Sequence, residues 1–471
     1  MKKIFAALLL TGILFTAKNT IALTSGDPTD KLATPETKAL YNQLKAASGQ
    51  QIMFGQYYLA KISTWEDPYG TNSQCYKITG KVPLILHVDY KSDQWRTISK
   101  WTDQLKAHYS KGGVIMVSWH MQNWVTDGDM RDLTGNPIVN ILPGGSARTK
   151  YLAALDGFAN YFLNLKDANG KLIPVIFRPY HENDGGWFWW GNTSGANVST
   201  TSVTSTTSNT SGGKISYFSN DAALTRVRVH YTVDWGKIGS KVKIGGTWNY
   251  NGTYDVYNVT PTTFDIAHGW QLGEWNNTKK YWTSSYTSPT GTLSSNTAYV
   301  ALWKDLVTYL RDKKGVHNLL YCYSPEIING FAYDGPLYPG DTYVDILGLD
   351  NYAKTITSSA FKATPLSRLQ TLRDLSVAKN KPFGLCEGLR NEYPNKVVSD
   401  PNSDGIYPKY WTEQFINPIL ADSKTKYTSF VMVWHSNPGS TNKGWGPVKG
   451  YADEQSFKAI SNNAKVKFLQ Y

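Results

Sequence analysis

Cysteine is nearly missing from this 471-residue chain, which holds only Cys75, Cys322 and Cys386. So few thiols exclude a disulfide framework. Cys322 and Cys386 lie inside apolar runs and read as buried small hydrophobes. Metal-ligand spacing is missing too: a zincin helix around His181-Glu182 needs histidine at 185, and that position is Gly185. No metal and no cofactor are expected. Long apolar runs are scarce. The N-terminal one, Ile4 to Phe15, follows Lys2 and Lys3 and is too short to span a bilayer. With Thr20-Ile21-Ala22 behind it, the run reads as a secretory signal cleaved near Ala22, and no cysteine follows to carry a lipid. Basic clusters are also lacking. Loss of three lysines with the signal takes the net charge from +12 to +9, with no Lys/Arg run or basic helix behind it. Nucleic acid is therefore not expected as a partner. What abounds is aromatic: 17 Trp and 31 Tyr. Such rings suit carbohydrate, whose C–H faces stack on indoles while its hydroxyls take hydrogen bonds.

The densest cluster is Phe177-Arg-Pro-Tyr-His-Glu-Asn-Asp-Gly-Gly-Trp-Phe-Trp-Trp-Gly191. It follows the apolar run Leu172 to Phe177, which reads as a buried strand bounded by Arg178-Pro179. Seven similar runs occur: 51–56, 82–88, 113–120, 319–324, 344–350, 382–387 and 429–434. Helical spacing separates several of them, as in Leu152, Leu155, Phe158, Phe162 and Leu165, or Leu366, Leu369, Leu372 and Leu375. Alternating strands and helices in this number argue for an α/β fold of the (β/α)8 TIM-barrel type. A Ser/Thr-rich tract and then alternating, β-like sequence interrupt the pattern. The expected organisation is a signal peptide (1–22), a first half-barrel (23–191), a linker with a β-rich insertion after strand four (192–295), and a second half-barrel (296–471). The insertion's Trp235, Trp248, Trp270, Trp275 and Trp282 would serve either a sugar-binding wall or its own core.

Active sites of such barrels lie at the C-terminal ends of the strands. Those ends bring Asp89, Tyr90, His120, His181, Glu182, Tyr323, Asp350, Tyr352, Glu387, Trp434 and His435 towards one mouth. Glu182 and Glu387 each directly follow an apolar strand, on opposite sides of that mouth. One such glutamate is commonly a salt-bridged rim residue; two amid aromatics suggest a catalytic pair. Glycosidic cleavage needs one protonated carboxyl and one ionised carboxyl. An indole wall from Trp187 to Trp190 would keep Glu182 protonated by desolvation, and hydroxyls such as Tyr352 would keep Glu387 ionised.

The stretch Arg178-Pro-Tyr-His-Glu182 with Gly186-Trp-Phe-Trp-Trp-Gly191 resembles the signature of glycoside hydrolase family 26, mostly endo-β-1,4-mannanases. The resemblance runs from about Gly55-Gln56 to Trp434, with the 192–295 insertion outside it, and implies a retaining (β/α)8 enzyme. Its acid/base and nucleophile fall on Glu182 and Glu387. By the same resemblance His181 and Tyr352 orient the nucleophile, His120 and Asp350 bind sugar at the cleaved position, and Trp187 and Trp434 are its platforms. His435-Ser436 and Met121-Gln-Asn-Trp124 depart from the family pattern. The expectation is a secreted, monomeric enzyme, without membrane insertion, that hydrolyses internal bonds of mannan, glucomannan or galactomannan. β-1,3-Xylan and mixed-linkage β-glucan are alternative polymers. A non-catalytic sugar-binding barrel would have lost a carboxylate, and both are present.

Overall fold

The computed structural model describes residues 22–58, 72–93, 96–184, 187–191, 291–326, 333, 337–351, 365–388, 396–400, 405–436 and 446–470. It also describes strand segments at 201–205, 211–220, 227–231, 241–244, 252–257, 263–266 and 285–288. Eight strands form a closed parallel sheet: β1 (Ile52–Tyr58), β2 (Ile85–Asp89), β3 (Val114–Trp119), β4 (Val175–Pro179), β5 (Leu319–Tyr323), β6 (Ile346–Asn351), β7 (Phe383–Gly388) and β8 (Phe430–Val433). Each pairs with its successor, and β8 returns to β1 with Met53 opposite Phe430 and Gln56 opposite Val433. The protein is a (β/α)8 barrel.

Both faces of this sheet are buried, which is why its strands read as continuous apolar runs rather than alternating ones. Phe54, Leu86, Ile115, Val175, Leu319, Leu347, Leu385 and Val431 face the surrounding helices. Met53, Ile85, Met116, Ile176, Leu320, Ile346, Cys386 and Phe430 fill the interior. Helices Thr102–Ser110, Arg148–Asn164, Ser295–Val307, Pro365–Lys379 and Glu454–Ser461 cover the outside. The longest buries Tyr151, Leu155, Phe158 and Phe162 at helical spacing. Inside, Gly348 and Gly384 leave room for larger neighbours. A Cβ on Gly384 would lie 2.6 Å from the Phe430 ring, and one on Gly348 would lie 2.6 Å from Cys386 Sγ.

The strand boundaries differ from the apolar runs in two places. Leu172 makes only an isolated bridge to Lys166, and β4 begins after Pro174, whose nitrogen has no hydrogen to donate. It then continues through Arg178 and Pro179, so those residues belong to the strand instead of bounding it. The run at 82–88 is split. Lys81–Pro83 pairs antiparallel with a C-terminal strand, Val466–Gln470, which itself lies beside β1.

Strands within 201–266 close into a second sheet, and 285–288 and 291–294 make a hairpin. Among the described residues none of them pairs with the barrel. The leader residues 1–21 and the tryptophans at 235, 248, 270, 275 and 282 lie outside the described residues. No helix among the described residues is long and apolar enough to cross a membrane.

Candidate active site

The site is built on inward-facing positions at the tops of the strands. Parallel pairing sets Asp89 opposite Ser118 and Ser118 opposite Arg178, so all three point to the barrel axis. Arg178 is fully buried and is the hub. Its Nε donates to Ser118 Oγ at 3.1 Å, one terminal nitrogen to Asp350 at 2.5 Å, and the other to Glu387. Asp350 accepts the Ser324 hydroxyl on its other oxygen at 2.6 Å. Burial works against the Arg178 charge, yet the two carboxylates hold its pKa above the usual guanidinium value. A cation sealed in the core persists because it is paired.

Glu387 reaches this position through a local irregularity. Leu349 lies opposite Leu385, but Asp350 lies opposite Glu387, so β7 carries one extra residue. The same excess separates Leu385 and Gly388 from Val431 and Val433 of β8. Cys386 already faces the interior, 3.5 Å from Cys322 Sγ. Strict alternation would turn Glu387 out towards the helices; the bulge turns it back in.

Glu182 comes from the other side, just beyond β4. Tyr180 and Glu182 have φ of 47° and 52°, left-handed conformations that side chains larger than glycine rarely adopt. The Glu182 N–H donates to Ser324 O at 2.8 Å, which anchors this turn on the neighbouring strand end. Glu182 is 4% exposed. The Trp187 indole donates to Oε2 at 2.5 Å, and Oε1 is buried without a partner. Burial, with Glu387 and Glu326 adding negative charge nearby, pushes its pKa up to about 8. Carboxylate oxygens of Glu182, Asp350 and Glu387 lie within 4.8 Å of one another. This trio has the donors a hard cation uses, but Arg178 already brings positive charge to two of its members.

The other expected residues fall as follows. His120, at the end of β3, has Nδ1 against Asp89, and its ring stands edge-on to His181 at 4.6 Å. His181 is buried, and burial beside Arg178 and His120 keeps its pKa well below the ordinary histidine value, so it is neutral. Its Nδ1 is buried without a hydrogen bond. Trp187 is 37% exposed and lies at the mouth, and Trp434 stacks on Tyr57 at 4.2 Å. Tyr352 lies outside the described residues. The indole wall divides by role: Trp189 and Trp190 are buried props that donate to Met121 O and His181 O. Tyr90 and Tyr323 face the outer core. Sequence reasoning placed Asp89 at the mouth but gave it no role, and it missed Arg178, Ser118, Ser324 and Tyr57 as site residues. Arg178 alone left a signal, as an arginine at an inward strand position two residues after Ile176.

A barrel with a protonated glutamate after β4 and an arginine-paired glutamate on β7 has the constellation of a glycoside hydrolase. The family model of glycosyl hydrolase family 26 matches residues 29–210 and 260–373. The chain belongs to that family. The matched span includes Glu182 and both ends of the insertion expected to lie outside the family, leaving out only 211–259 there, and it ends before Glu387, whose place in the site rests on geometry. A mannan endo-1,4-beta-mannosidase of Bifidobacterium adolescentis is 25% identical over 93% of this chain and 35% of its own length. One from Thermothelomyces thermophilus is 31% identical over 34% of each chain. The chain thus spans about a third of those relatives. Among solved structures, a Cellulomonas fimi endo-beta-1,4-mannanase matches with TM-score 0.65 and 23% identity, over 95% of this chain and 78% of that one. The catalytic domain of a Bacillus sp. JAMB-750 GH26 endo-beta-1,4-mannanase matches with TM-score 0.64 and 24% identity, over 95% of both. At that identity these two likenesses establish the fold.

Proposed function

We propose that this protein is an exported, retaining endo-β-1,4-mannanase. The observation that carries the mechanism is the closeness of two unlike carboxyls, one buried with no ion pair among the described residues and one paired with Arg178, with oxygens within 4.8 Å. Retaining enzymes hold their carboxyls about 5–5.5 Å apart, whereas inverting ones leave room for a water. In the first step Glu182 gives its proton to the glycosidic oxygen while Glu387 attacks the anomeric carbon; the leaving sugar departs as an alcohol. In the second, Glu182 takes a proton from water, the hydroxide attacks the same carbon, and the Glu387 ester bond breaks. Asp350 has both oxygens engaged, so in this reading it holds Arg178 in place beneath Glu387. Mannan as substrate is supported by the relatives named above, and export by the leader with its small-residue site near Ala22.

Product analysis on galactomannan, glucomannan, mixed-linkage β-glucan and β-1,3-xylan tests the substrate. Short manno-oligosaccharides from the first two are expected. Rapid release from another polymer, with the mannans untouched, would overturn the reading. Proton NMR of the first product tests the stereochemistry, with a β-anomer expected and an α-anomer pointing to inversion.

A further inference from the structure

Asp89 has no part in the mechanism above, yet it is buried at the mouth of the barrel. Its Oδ1 accepts the backbone N–H of His120 at 3.1 Å, and its Oδ2 lies against His120 Nδ1. Oδ2 also accepts the Tyr57 hydroxyl at 3.2 Å. Asp89 thereby has both oxygens committed to β1 and β3. Both oxygens already act as acceptors, Oδ1 from the backbone N–H and Oδ2 from the Tyr57 hydroxyl, so the geometry places the proton shared with His120 on Nδ1. His120 Nε2 is the nitrogen left over. It takes no hydrogen bond among the described residues, and His120 keeps 7% of its surface exposed. The ring is walled edge-on by His181 at 4.6 Å and by Phe188 at 5.4 Å, which restrains it from turning over.

We infer that Asp89 is a positioning residue: it fixes the tautomer and orientation of His120 so that Nε2 meets a sugar hydroxyl, with Tyr57 steadying the same carboxylate. Tyr57 links this pair to the rim, since its ring stacks under Trp434 at 4.2 Å with 14° between planes. The tops of β8, β1, β2 and β3 are so joined in one chain of contacts, Trp434–Tyr57–Asp89–His120. The kinetic half of the inference rests on the mannanase reading; the tautomer half does not.

The test uses the full chain labelled with 15N-histidine, with the His120 signals identified by their loss in His120→Ala. In the wild type the proton is expected on Nδ1. Asp89→Asn keeps the shape but places an amide donor beside Nδ1, so the proton should leave that nitrogen. On a soluble manno-oligosaccharide, Asp89→Asn should lower kcat/KM by on the order of 10–100-fold, as removal of a histidine's orienting partner does elsewhere. In the His120→Ala background the same change should cost no more than about twofold, the margin for independent sites. A purely structural Asp89 would cost the same in both backgrounds. An unprotonated Nδ1 in the wild type, a proton that stays on Nδ1 in Asp89→Asn, or equal losses in the two backgrounds would each overturn the inference. Should Asp89→Asn not fold, the wild-type protonation state alone decides. If the wild type leaves mannan intact, the function proposal fails, and the NMR result still stands or falls separately.

Discussion

A carboxyl that donates a proton at neutral pH must be kept from ionising, and at Glu182 the means is burial, reinforced by the nearby Glu387 and Glu326. Its pKa of about 8 sets the sign of the pH dependence. Below that pH the acid is protonated and competent; as pH rises through it, kcat/KM should fall, and a pH profile reads this directly. The Trp187 indole opposes the shift by hydrogen-bonding the carboxylate, so Trp187→Phe should move the basic limb to higher pH. Glu182→Gln should lower kcat by about 10²–10⁴-fold on mannan. On an aryl mannoside, whose leaving group needs no proton, the first step should be far less affected, so stopped-flow kinetics should show a fast burst of phenol followed by slow turnover while water attack lacks its base. A burst slowed as much as mannan turnover would remove Glu182 from the acid role. Arg178→Met would leave Asp350 and Glu387 side by side in the core without their cation. The expected cost is about 3–5 kcal/mol, measured by urea unfolding. Lysine is no substitute, because one ammonium cannot present the fork that spans both carboxylates.

At the level of elements, β7 shows why a site can be half readable. Glu387 is visible in the sequence because it directly follows an apolar run. Its inward direction is not, because Cys386 already claims the interior and alternation would send the next side chain out. The bulge depends on how β7 sits between β6 and β8. Arg178 and Ser118 were hidden for a related reason: each sits at a strand end whose partners come from other strands. Arg178 and Asp350 are 172 positions apart, and only closure of the sheet makes them neighbours. The floor under this layer is tightly packed, so Gly384→Ala would push a methyl to 2.6 Å from the Phe430 ring. Overpacking of that kind costs about 1–3 kcal/mol, and a lowered urea midpoint is expected. An unchanged midpoint would mean that Phe430 has room to move.

Across the whole molecule, the barrel and the inserted strands form separate sheets. Replacing 192–295 with a short flexible linker should therefore leave turnover of a soluble manno-oligosaccharide unchanged. A loss of oligosaccharide turnover would make the insertion a wall of the cleft. If the leader is removed as proposed, intact-mass analysis of the exported protein should place its first residue just after Ala22. The amino-acid order carries the fold class, because strands buried on both faces must be apolar throughout and helices buried on one face must repeat at helical spacing. It also marks the two glutamates, since each closes or follows an apolar run at the end of the barrel where such sites lie. The state of those glutamates came from elsewhere. Barrel closure set Arg178 between Asp350 and Glu387 and buried Glu182 beside Trp187 with no ion pair among the described residues. Protonation depends on which charges and dipoles stand within a few ångströms, and those neighbours are brought together from strands far apart in the chain.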